Sequence, residues 1–402
     1  VVESKSVFQK CSHDILDSIF SFLDDICLRA VEATCCRWRS ACMDSGAGWG
    51  SWLVCQRDLN DKWWKCFHRR RLTALSIRNM TTATVFRSAT GAAYRHIAAL
   101  PALTSLKLER VTTDTVQQLA SISRVRTLTL DSCASNVFEL LPALPLARNL
   151  TNVTVMDPID MRRLGTLSQL PSLTELELNQ MEQEAGGADA AAPELFLPHL
   201  RTLSVRCATS ALLRPLAACS ELRTLTLLSE EGDGIAAQLA KLTQLTALNL
   251  GNCKSDGSLA ALKHLTRLVT LRLASCFTRK ELQWDAALPD LTSLHIQRMA
   301  MPHESFANLS ALPRLHSLSL EDVAFRDDAL PSLLRLSLRS LRVARSSRSF
   351  PPSSIEKLTG MSSLRDLSIQ LASNDITPRK VSACKAAIAA LRAARRDLSV
   401  SF

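Results

Sequence analysis

With 402 residues, 47% of them hydrophobic and 21% charged, the chain has enough apolar material for a large core, and no apolar run approaches the roughly 18 residues a membrane-spanning helix needs. The 48 Lys and Arg against 38 Asp and Glu leave a net charge of +10, which keeps acidic proteins and nucleic acids among the candidate partners. Thirteen cysteines, an odd number without a paired framework or a Cys-x-x-Cys pair, exclude a disulfide scaffold and a zinc site; they point to a reducing compartment, cytoplasmic or nuclear.

Residues 1–10 are an N-terminal flank without the apolar stretch of a secretory signal. A small helical domain is expected over 11–52. Ile15, Leu16, Ile19, Phe20 and Leu23 fall on one helical face, with Ser12 placed to cap the helix and Asp14 in its first turn. Leu28, Val31, Cys35, Trp38 and Cys42 recur at steps of three and four and predict a second helix, ended by Gly46, Gly48 and Gly50. Five of the six tryptophans lie before residue 72, and this shift in composition separates the segment from the rest of the chain. A helical linker is expected over 53–71.

The order and spacing of Asp14-Ile15-Leu16, Ile19-Phe20-Ser21-Phe22-Leu23-Asp24, Cys36-Arg37-Trp38-Arg39 and Trp52 resemble an F-box, with Cys11-Ser12 where that family usually has Leu-Pro. Arg57-Asp58 and Trp63-Trp64-Lys65 are similar to the linker that often comes after one. The resemblance implies docking to a Skp adaptor, and through it a cullin, by Ile15, Leu16, Phe20, Leu23 and Trp38. The same side chains also suit the packing of a small helical unit, although several apolar residues on so small a unit exceed what it can bury alone.

From residue 72 to 402 a phrase of leucine, two residues, leucine, one residue, leucine returns along the chain. It begins at Leu103, Val125, Leu150, Leu173, Leu200, Leu222, Leu245, Leu268, Leu291, Leu315, Leu338 and Leu364, at intervals of 22 to 27 residues. An earlier copy stands at Leu72/Leu75/Ile77. This period and spacing predict an α/β leucine-rich repeat solenoid, a horseshoe or arc of about 13 repeats. The last two apolar residues of each phrase alternate around one outward residue and so point inward from a short strand. One coil cannot bury its own apolar edge, whereas stacked coils share a core.

Cys133, Cys253 and Cys276 stand eight residues into their repeats, where the chain turns out of the strand, and are expected to be buried thiols. The interval between Leu173 and Leu200 carries an Ala- and Gly-rich insertion, Glu182 to Pro193, read as a surface loop or a target-binding loop. Arg392, Arg395 and Arg396 accompany an Ala-rich helix over the final coil, and Leu398 and Val400 resemble a last strand.

The residues flanking the inward leucines share the concave face. Lys107, Glu109, Asp131, Glu175, Glu177, Arg206, Arg272, His295, Glu321 and Arg342 are the candidate target-binding residues, with Asn249, Gln297 and Asp366 beside them. Mixed charge and few aromatics suit a protein target better than a single-stranded nucleic acid, whose bases need stacking platforms. Of the basic cluster Arg335, Arg339, Arg342, Arg345 and Arg348, only Arg342 is expected to reach that face.

No phosphate-binding loop, His-Glu-x-x-His or Gly-x-Ser-x-Gly motif occurs, so the chain reads as a non-enzyme with no cofactor or metal. The acidic group Glu230, Glu231 and Asp233 reads as a solvated loop. Two functions remain. F-box proteins with leucine-rich repeats are similar in layout, and that resemblance implies the substrate-recognition subunit of an SCF-type cullin-RING ubiquitin ligase. Basic charge and the generality of solenoid binding suit a scaffold of a protein or ribonucleoprotein assembly instead.

Overall fold

A computed structural model describes residues 52–55, 82–86 and 103–402 apart from 112–121, 134–136, 182–196, 207–209, 229–232, 254–258, 277–283, 285–287, 300–302, 324–329, 347–351 and 372–376. It divides into two compact units, residues 1–176 and 177–402. The two predicted F-box-like helices, the phrase at Leu72, and the insertion from Glu182 to Pro193 lie outside the described residues.

In the first unit, strands β1 (Trp52–Cys55), β2 (Thr82–Phe86), β3 (Ser105–Glu109), β4 (Thr127–Asp131) and β5 (Asn152–Ile159) pair in chain order, all parallel. The helical reading of 53–71 is corrected at its start. Trp52-Leu-Val-Cys55, a run of β-formers, pairs with Thr82–Phe86 instead. Strand β2 lacks the leucine phrase, yet Ala83 and Val85 hold the register positions of Leu106 and Leu108. Period two therefore continues where the leucine signature does not.

Strand β6 (Glu175–Met181) crosses the division. In the second unit β7 (Thr202–Val205), β8 (Thr224–Leu228), β9 (Ala247–Gly251), β10 (Thr270–Ala274), β11 (Ser293–Gln297), β12 (Ser317–Glu321), β13 (Ser340–Ser346), β14 (Asp366–Leu371) and β15 (Ser399–Ser401) again pair parallel in chain order. Short α and 3-10 helices return the chain between strands. They include α1 (Val137–Leu140), α2 (Met161–Leu167), α3 (Ser210–Leu216), α4 (Asp233–Leu239), α5 (His303–Ala307), α6 (Leu330–Leu334) and α7 (Pro352–Lys357), while α8 (Pro378–Ala394) is longer.

The three apolar residues of all twelve phrases from Leu103 onward are buried, none more than 3% exposed. At about 1.5–3 kcal/mol for each fully buried Leu or Val, they are the dominant favourable term of every coil. A further buried apolar residue stands three positions earlier in ten of the twelve, at Ile122, Ala147, Leu170, Leu197, Cys219, Leu242, Leu265, Leu288, Leu312 and Met361, whereas before Leu338 that position holds the exposed Arg335. These are leucine-rich repeat coils.

Two backbone devices lock one coil to the next. On the entry side, one carbonyl accepts two consecutive N–H groups from the succeeding coil, as Arg223 O does from Thr246 and Ala247, and Val269 O from Thr292 and Ser293. On the exit side, the residue after each of six strands, Arg110, Ser132, Asn252, Ser275, Arg298 and Asp322, and Arg345 near the end of β13 are left-handed, with φ between 49° and 58°. That turn aims the N–H of Asn252, Ser275, Arg298 and Asp322 at a carbonyl of the next coil, 2.8 to 2.9 Å away. At Ser132 the next strand supplies a side chain instead. Asp157 of β5 accepts the N–H groups of Ser132 and Cys133, each at 2.9 Å.

Cys253 and Cys276 are buried as expected, but Cys133 is only half-buried. The same repeat position holds the buried Val111, Met299 and Val323, so it selects for an apolar filler rather than a thiol. The Cys253 thiol is pushed up by its hydrogen bond with Cys276 and by burial, which makes it a poor nucleophile.

Candidate binding surface

Because the second and fourth residues of each strand point into the core, the first, third and fifth share the open face of the sheet. In the first unit, Lys107 and Asp131 meet there, Nζ to Oδ2 2.8 Å, and the lysine's hydrogen bond holds the carboxyl below its usual value. The backbone of Glu109 pairs in register with that of Asp131. Glu175 is exposed and accepts a hydrogen bond from the Asn152 amide. Lys107 and Asp131 thus neutralise each other.

The second unit differs. Glu177 on β6 is half-buried, and Arg206 lies exposed just past β7. Further along, the third positions of five adjacent strands form one row, since Asn249 pairs with Arg272, Arg272 with His295, His295 with Ser319 and Ser319 with Arg342. Arg272 Nη2 donates to Gln297 Oε1 at 2.8 Å. His295 Nε2 lies 3.9 Å from Glu321 Oε2, too far for a hydrogen bond. Burial lowers the His295 imidazole's pKa, and the positive charges of Arg272 and Arg342 lower it further, against the opposing pull of Glu321.

Glu321, the one buried carboxylate on this face among the described residues, is engaged by Arg345. The expectation that only Arg342 of the arginine cluster reaches the face is therefore corrected. The register of β13 against β14 shifts between Ala344 and Ser346, and the left-handed Arg345 between them turns its guanidinium back to Glu321. Bulges re-aim side chains in this way. Arg335 and Arg339 are exposed away from the row, and Arg348 lies outside the described residues.

Three polar atoms in this row are buried without a hydrogen-bond partner: Asn249 Oδ1, His295 Nε2 and Ser319 Oγ. Buried polar atoms are overwhelmingly bonded, so three orphans on consecutive or near-consecutive strands mark the place where the surface is incomplete by itself. Residue type alone does not single out Ser319, although its place between Leu318 and Leu320 puts it on the face by period two. The proposed docking residues Ile15, Leu16, Phe20, Leu23 and Trp38 lie outside the described residues. Among the described residues no group of three or more His, Cys, Asp or Glu is placed to hold a metal, and no helix is long and apolar enough to cross a membrane.

No family model and no curated protein matches the chain. Among solved structures, it is similar to an internalin (inlF) from Listeria monocytogenes at 18% identity, covering 82% of this chain and 88% of that one, with a TM-score of 0.43. It is similar to the TLR13–ssRNA13 complex at 16% identity, over 75% of this chain and 56% of that one, TM-score 0.43. The leucine-rich repeat protein LIC12759 of Leptospira interrogans shares 16% identity over 81% of this chain and 91% of its own, TM-score 0.40.

Proposed function

We propose that this chain is a non-catalytic interaction adaptor that captures a protein target on the open face of its repeats. The observation that carries this reading is the row from Asn249 to Arg342, where charged side chains flank three buried polar atoms without partners. An unsatisfied buried polar atom is unfavourable by about 1–3 kcal/mol, and a partner that supplies the missing bonds recovers that energy on binding. The mixed character of the face, with few aromatic residues, favours protein over single-stranded nucleic acid.

The F-box resemblance of residues 11–52 extends the proposal to a substrate-recognition subunit of an SCF-type cullin-RING ubiquitin ligase. Residues 11–52 would dock the Skp adaptor and the repeats would hold the target. The test is retention of purified Skp adaptor and cullin by the intact chain and by a Phe20→Ala/Leu23→Ala variant whose repeats melt normally. A complex made by the intact chain and lost in the variant supports the ligase reading. If the intact chain retains neither subunit, the scaffold reading, which the +10 charge favours, takes its place.

A further inference from the structure

Two features of the second unit's open face constrain what can sit on it. First, Arg272 and Arg342 are not neutralised from within. Glu321 is occupied by Arg345, Arg272 bonds only a neutral amide, and Arg342 has no hydrogen-bond or ion-pair partner among the described residues. Secondly, the cations are spread out. Arg272 on β10 and Arg342 on β13 are three strand intervals apart, about 14 Å between backbones, with the neutral His295 and Ser319 between them.

We propose that the row Asn249–Arg272–His295–Ser319–Arg342 recognises an extended acidic segment of a protein partner, laid across the strands with carboxylates on Arg272 and Arg342. This rests on the protein-capture reading and names the chemistry of what is captured. In an extended peptide, alternate side chains on one edge are about 6.7 Å apart, so two such steps match the arginine spacing. A single phosphate fits one guanidinium and leaves the other unmatched. The polar backbone or side chains between the two carboxylates face His295 Nε2 and Ser319 Oγ, and those just beyond the carboxylate on Arg272 face Asn249 Oδ1; all three atoms are without partners in the free chain. Asn249 accepts, Ser319 both donates and accepts, and neutral His295 does one or the other by tautomer, so this stretch is read by hydrogen bonds rather than charge.

The full chain is titrated against a fluorescein-labelled peptide repeating Glu-Ala-Ser-Ala, which puts Glu and Ser alternately on one edge, about ten residues long to exceed the row. Anisotropy should report binding that weakens about tenfold or more in Arg272→Gln/Arg342→Gln. A control pair of exposed arginines off the row, Arg267→Gln/Arg335→Gln, removes the same charge and should leave affinity unchanged. Ser319→Ala, which leaves the charge untouched, should weaken binding by a smaller factor. Equal loss in both arginine pairs, equal displacement by inorganic phosphate or an oligothymidylate of matched charge, or no binding by the intact chain would each overturn the proposal. These outcomes leave the broader capture reading standing if a protein partner is still retained. That reading fails separately, when no protein is held through the open face.

Discussion

Arg395 and Asp397 face each other in a two-pronged ion pair, Nε to Oδ1 2.8 Å and Nη2 to Oδ2 2.9 Å. The same guanidinium donates to the carbonyls of Met361 at 2.7 Å, Leu364 at 2.8 Å and Ser362 at 3.2 Å. One side chain therefore joins the end of α8 to the turn that enters β14. The bond from Arg395 pulls the Asp397 carboxyl down to about 2. Since its folded pKa lies below its unfolded one, the pair's contribution is complete above the ordinary aspartate value and is lost as pH falls toward about 2. Hydrogen exchange in α8 and β15 should accelerate across that acid window. Arg395→Lys, which cannot span three carbonyls and a carboxylate, should show the faster exchange already at neutral pH. Unchanged exchange in this variant would mean the helix is held by its buried face of Cys384, Ile388 and Leu391 alone.

The left-handed residue that follows several of the strands invites a test of coil stacking. Ser275 has φ 54° and its N–H reaches Gln297 O at 2.8 Å. A β-branched residue is poorly tolerated there, so Ser275→Val should lower stability by about 1–2 kcal/mol in chemical denaturation. Ser275→Gly, free to adopt the same φ, should stay close to the parent. Equal losses would place the effect in the lost hydroxyl rather than the backbone.

Leucine spacing made the strands and their buried faces legible, because each phrase encodes one inward pair and the packing beneath it. It did not reveal β2, whose Ala83 and Val85 keep the alternation without leucines. Nor did residue type disclose the left-handed turns. Asn252 and Asp322 suit them, but Arg110, Arg298 and Arg345 do not, and there the stacking of coils imposes the conformation. Candidate face residues could be named one strand at a time. Which of them touch depends on pairing between residues some 23 apart, so the row from Asn249 to Arg342 and its orphaned atoms emerged only from the register. Regular alternation misplaces Arg345, because a bulge reverses the direction it assigns there.

Gly251 ends β9 beneath Leu228, its register neighbour on β8. A Cβ at Gly251 would overlap Leu228 Cδ2, and the leucine would have to move to relieve it. Gly251→Ala should therefore destabilise by about 1 kcal/mol or more, and Leu228→Ala in the same chain should recover most of it. A double-mutant cycle measures this directly, since neighbours that clash are strongly non-additive. Additive losses would show that the leucine already has room to turn.

His295 supplies the pH test for the open face. Burial lowers its pKa first, Arg272 adds to this, Glu321 opposes it and Arg342 adds again. Between the lowered folded value and the ordinary value of about 6.5, the unfolded chain binds a proton that the folded chain refuses. Stability from this group is therefore greatest above about 6.5 and declines as pH falls through that window, the reverse of a histidine stabilised by a carboxylate. Urea midpoints taken on both sides of the window should differ less in His295→Asn than in the parent, because the substitution removes the titrating group while leaving a polar side chain beside Ser319. An unchanged pH slope would mean that Glu321, 3.9 Å away, fully offsets burial and both arginines. An acidic segment bound over the row should raise the imidazole's pKa by adding negative charge beside it, so saturating the parent with the Glu-Ala-Ser-Ala peptide should move the midpoint of the His295 titration upward.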